Sequence, residues 1–225
     1  MENKAGLLKS LQKAGGIAAL YLAASYLAAM PFFLLVINLP SLADPLQKAA
    51  VLVANRNGLY IMELVVYVFF GIFLTVLATA LKERLEAGAE ALMKVATPIA
   101  LIWAGLLIAS GMIYNVGMDP VIALYGKDPA QAASLWSAID LVSSGLSGNG
   151  EIIGGAWMLL VSMAALKTGG LPKALNILGL VVASVGIASV VPILKDLAAV
   201  FGLGQILWFS WLGVVLLRAR QGKIE

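Results

Sequence analysis

Runs of about 20 residues with hardly a charge among them recur along this chain, and they limit its fold more than any motif does. They cover about 15–37, 58–81, 97–117, 141 or 150–166, 174–194 and 200–217. A helix rises about 1.5 Å per residue, so each run reaches across a hydrocarbon layer of about 30 Å. Backbone in lipid must satisfy its own hydrogen bonds, and these runs are too long and too uniformly apolar for barrel strands. The expected fold is therefore all-α: a polytopic membrane protein with six transmembrane helices in a single domain over 1–225. Composition agrees, with 61% hydrophobic and 12% charged residues against roughly 25% charged in soluble domains.

The fourth run has two readings. One continuous helix from Asp140 would carry a polar stripe of Asp140, Ser144, Ser147 and Glu151 toward mid-membrane. Alternatively the span starts near Glu151, and residues 128–148 form an amphipathic helix at the surface, apolar along Leu135, Ile139, Val142 and Leu146. A second interfacial helix is expected at about 44–56. Both outer loops open Asp-Pro-x-Gln, a helix-start pattern of cap, first-turn proline and back-reaching glutamine, and both close Asn-Gly, which favours a turn. These echoes, with "ALKERLEAG" after span two and "ALKTGGLPK" after span four, suggest a tandem parallel repeat of helical hairpins.

An even number of spans puts both termini on one side, and the basic residues select it. Eleven lysines and arginines fall at the termini and alternate loops, against Lys48, Arg56, Lys127 and Lys195 on the other side. By the positive-inside rule the termini are cytoplasmic. The basic start could suggest a cleaved signal peptide, but its apolar run continues through "PFFLLVI" and is too long for a signal core.

Cysteine and histidine are absent. Disulfides, thiolate nucleophiles, histidine-based triads and the commonest zinc and haem ligand sets are thereby excluded. No metal site, cofactor or catalytic residue is expected. The net charge of +3 resides in topology-setting span ends, so nucleic acid is not an expected partner.

What remains is a set of polar groups in the outer halves of the spans: Glu63, Asn115, Asp140, Asn149, Glu151 and Gln205, with Tyr114 and Trp208 as aromatic walls. An ionised acid at mid-membrane costs about 2.5–3.5 kcal/mol on insertion scales, so these acids are not expected to face lipid unpaired. Pairing with Lys195 or Arg56, or hydrogen bonds to Asn115 or Gln205, would satisfy them. The first expectation is an outward-facing cavity binding a small hydrophobic or amphipathic molecule, with Glu151 as principal anchor. The alternatives are a proton- or ion-coupled transporter using Glu63 and Glu151, and a ligand-free scaffold or accessory subunit in which those groups only fix helix packing. An intramembrane enzyme fits less well, because no nucleophile with an adjacent base accompanies the two carboxylates. The expected partners are the lipid bilayer, a small hydrophobic ligand, and a second copy or another membrane protein.

The stretches "GGIAALYLAASYL", "LIWAGLLIASGMIYNVG", "NGEIIGGAWMLLVSMAALKTGGLPKALNILGLV" and "FGLGQILWFSWLGVVLLR" together resemble a bacterial family of small multi-span membrane proteins known only as a domain of unknown function. The resemblance runs from about Gly15 to Arg218. It implies a multi-pass fold in a bacterial cytoplasmic membrane and supplies no site residues.

Overall fold

The computed structural model describes residues 2–38, 42–147 and 150–218. All regular structure among them is helical: α1 (Glu2–Pro31), α2 (Pro45–Ala54), α3 (Arg56–Glu63), α4 (Phe69–Tyr125), α5 (Pro129–Ser147), α6 (Gly150–Thr168), α7 (Lys173–Ala188) and α8 (Leu197–Arg218). Four segments, Lys9–Val36, Arg56–Tyr125, Pro129–Thr168 and Leu197–Arg218, are long and apolar enough to cross a membrane.

Two of these runs contain wide turns. α1 runs through Pro31 and passes directly into a π-helical turn, Phe32–Val36, closed by the Ile37 N–H on the Phe32 carbonyl at 2.9 Å. The chain then leaves the helix through Asn38, whose left-handed φ of 52° asparagine tolerates better than most residues. A second π turn, Leu64–Val68, joins α3 to α4, and such turns are common where a helix carries function.

Sequence reading expects a loop between spans two and three, yet helix fills it on both sides of Ala89, the one residue with non-helical dihedrals (φ −142°, ψ 41°). The run doubles back there. Arg56 pairs with Asp119 and Asn115 reaches Tyr60, both antiparallel matches about a turn point near residue 88. Gly111 lets the two arms close up, since a Cβ there would lie 2.8 Å from the Tyr67 Cβ.

α2 and α5, the two helices expected in the long loops, start where expected but are capped differently. Asp128 Oδ1 accepts from the Gln131 N–H at 3.0 Å, whereas Asp44 makes no side-chain cap bond and Pro45 alone sets the first turn. Asn57-Gly58, expected to be a turn, lies inside α3. The bend falls at Asn55 instead, whose Nδ2 donates to the Val51 carbonyl and closes the end of α2. The apolar stripe expected on α5 holds in part: Leu135 and Ile139 pack against the core of unit 2 and Leu146 is half-buried, but Val142 is exposed, as is Leu141 at 75%, and the fully buried positions of the helix are Ala132, Ala133, Trp136 and Ser143.

The chain divides into two compact units. Unit 1 comprises Met1–Ala24, Ile72–Ala104 and Gly150–Glu225; unit 2 comprises Ser25–Gly71 and Gly105–Asn149. The core of unit 1 is aromatic, with Trp157 fully buried and 6.0 Å from Trp103, 5.9 Å from Trp208 and 6.4 Å from Phe209, centroid to centroid. Glycines bring its helices together: a Cβ on Gly155 would lie 2.9 Å from the Ala183 carbonyl, and one on Gly179 2.7 Å from Trp208 Nε1. That is small-residue packing, the arrangement by which helices associate in lipid. Unit 2 has its own core of Ile37, Leu52, Leu59, Met118, Val121, Ala132 and Trp136.

Candidate functional site

Unit 2 contains a small pit with an apolar floor and a polar rim. Ile37, Leu52, Leu59 and Trp136 form the floor and are almost wholly buried, and Phe33, Leu42 and Val51 continue the walls. Helical spacing explains the rim: Lys48 lies one turn before Leu52 on α2, and Asp140 one turn after Trp136 on α5. Lys48 Nζ and the Asp140 carboxylate are 3.9 Å apart, each side chain 36% exposed. At that exposure the pair contributes about 1 kcal/mol or less to stability, so its charges stay available to a third group. Tyr114 closes the wall, its ring edge-on to Trp136 at 4.6 Å. The cavity holds about 50 Å³. That admits a few waters or the polar end of a ligand, and is well below the roughly 300 Å³ of a typical drug-sized pocket.

Glu63 ends α3 and is only 3% exposed, so it faces protein and not lipid. Its Oε2 has no hydrogen-bond partner among the described residues. Of the sequence-selected residues, Tyr114 and Asp140 line the pit together, and Glu63 belongs to the same unit without lining it. Arg56 pairs not with Glu63 but with Asp119, at 2.6 Å on the surface. Asn115 is buried and donates to the Tyr60 carbonyl at 3.3 Å, while its Oδ1 has no partner among the described residues. Its observed contact joins the two arms of the Ala89 hairpin.

The other sequence-selected residues belong to unit 1, apart from Asn149, which lies outside the described residues. Glu151 is half-buried in the first turn of α6, and no lysine or arginine pairs with it among the described residues. Gln205 is fully buried in α8, and Trp208, one turn later, packs in the aromatic core. Lys195 and Asp196 are exposed.

Sequence reading passes over two features of unit 2. Lys48 looks like an ordinary loop cation until α2 places it against Asp140. Ser143 looks like one serine in a run, yet it exchanges hydrogen bonds with Ser110: Ser110 Oγ reaches the Ser143 carbonyl at 2.9 Å, and Ser143 Oγ the Ser110 carbonyl at 3.1 Å. This two-way bond fixes α5 against α4. With these residues placed, comparison with known proteins adds nothing further: no protein family, curated protein or solved structure matches the chain.

Proposed function

We propose that the chain is a six-crossing protein of a bacterial cytoplasmic membrane, with both termini cytoplasmic, that binds a small amphipathic molecule at the outer face of unit 2. The 70-residue run Arg56–Tyr125 would measure about 105 Å if straight, more than three hydrocarbon thicknesses, so its reversal at Ala89 makes it two crossings. α6, with 19 residues, measures about 28 Å and suffices for a crossing from Gly150 onward. α1, α7 and α8 supply the other three, which leaves α2 and α5 as outer-surface helices. Their matching starts at Asp44-Pro45 and Asp128-Pro129 support the tandem repeat.

The observation that carries the binding reading is the pit itself, an apolar floor with three convergent polar groups at its rim. The polar end of the ligand sits against Lys48, Asp140 and Tyr114, and its apolar part lies along Phe33 and Val51. Orientation is open to a direct test because the chain has no cysteine. In right-side-out vesicles, Lys48→Cys should react with a membrane-impermeant maleimide, and Lys94→Cys only after permeabilisation. The opposite pattern would reverse the orientation and remove the outward site.

Glu63 favours a second reading, proton-coupled transport, because it is a buried acid whose Oε2 has no hydrogen-bond partner among the described residues, and buried acids within membrane spans serve as proton relays. Under that reading proteoliposomes show a pH-driven flux of an amphipathic cation or anion, and Glu63→Gln abolishes it while the protein stays folded. A flux equal in the variant would rule out Glu63 as the coupling group.

A further inference from the structure

We propose that unit 1 carries a separate site for an anionic phospholipid, in the groove between Arg84 of α4, the Gly169–Pro172 turn and the end of α8. The groove has a volume of about 500 Å³ and is lined by Arg84, Gly170, Leu171, Trp211, Val215 and Arg218, among others. Arg84 is held in place by two contacts: its Nε donates to the Gly170 carbonyl at 2.8 Å, and its Nη1 to Gln12 Oε1 at 3.3 Å. A guanidinium has five N–H donors in a planar fork, so these bonds orient Arg84 and leave donors for a phosphate. Neither Arg84 nor Arg218 is paired with a carboxylate among the described residues.

The rest of the groove decides between a lipid and a free anion. Leu171 and Val215 provide an apolar wall, and Trp211, 38% exposed, also lines the groove. A free phosphate gains nothing from such a wall, whereas an acyl chain below a phosphate headgroup uses both halves. Basic pockets between membrane helices take anionic headgroups in this way, and tryptophan favours the same depth. Lys167 and Lys173, close in sequence to the turn, add to the positive charge of this end.

The test is native mass spectrometry after exchange into equimolar phosphatidylglycerol and phosphatidylethanolamine with identical acyl chains. The wild type should retain phosphatidylglycerol preferentially, and Arg84→Gln/Arg218→Gln should lower that preference roughly tenfold or more. Lys94→Gln/Lys127→Gln, which removes the same charge elsewhere, should leave it within about twofold. Should the double arginine variant not fold, Arg218→Gln alone, at the exposed end of α8, should still lower the preference by about fivefold. An unchanged preference in the folded arginine variants, or an equal loss in the lysine variant, would overturn the site. Displacement of the lipid by millimolar glycerol phosphate would show that the groove takes a soluble phosphate and would overturn the lipid assignment.

Discussion

Trp157→Ala should destabilise the protein by about 3 kcal/mol, the largest loss expected from a single truncation. Trp157 is fully buried, and its ring lies within 6.4 Å of those of Trp103, Trp208 and Phe209. Tryptophan truncation in water-soluble cores costs about 3–5 kcal/mol, through lost transfer energy plus the cavity left behind. In a bilayer the separated helices are already in an apolar medium, so the transfer part shrinks while the lost packing remains. The lower end of that range is therefore expected.

Trp157→Phe separates packing from polarity. The indole Nε1 has no partner among the described residues, so phenylalanine keeps most of the ring and removes a buried donor that costs about 1–3 kcal/mol unmet. It should cost much less than alanine. Trp211, exposed at the groove, is the control, and its truncation should cost under about 1 kcal/mol. Thermal loss of the monodisperse peak in size-exclusion chromatography measures all three. Equal melting of Trp157→Ala and Trp211→Ala would mean that the aromatic cluster is not the core of unit 1.

The helical architecture was legible because it follows from one length: a run of about 20 apolar residues matches the bilayer, and hydrocarbon leaves a lone segment no alternative to helix. The turns were less so. Ala89 follows Gly88 with no proline beside it, and a single glycine inside a helical pattern is a weak sign of a reversal, while the π turns are shifts of hydrogen-bond register that apolar periodicity does not encode. α5 shows the physical limit most clearly. A stripe of apolar residues normally points to the core, but beside lipid an apolar face is equally at home outside, and Leu141 and Val142 are there.

The candidate site was legible in part. Glu63, Tyr114 and Asp140 stand out because polar groups in an apolar setting are costly, and of these Tyr114 and Asp140 come together at the pit of unit 2. Lys48 did not stand out, since a lysine in a loop is ordinary until the fold gives it a neighbour. The Ser110–Ser143 exchange was hidden for the same reason: its partners are 33 residues apart.

We propose that Lys48, Asp140 and Tyr114 hold the polar end of a small amphipathic molecule. Because the Lys48 and Asp140 side chains are each 36% exposed, Lys48→Gln and Asp140→Asn should each change stability by less than about 1 kcal/mol, which isolates binding from folding. The measurement is native mass spectrometry of protein extracted in mild detergent, wild type beside both variants. The wild type should retain a non-phospholipid adduct whose occupancy falls roughly tenfold in each folded variant, as expected when a desolvated polar contact is lost. An adduct held equally by all three proteins, or no adduct beyond phospholipid in the wild type, would contradict it.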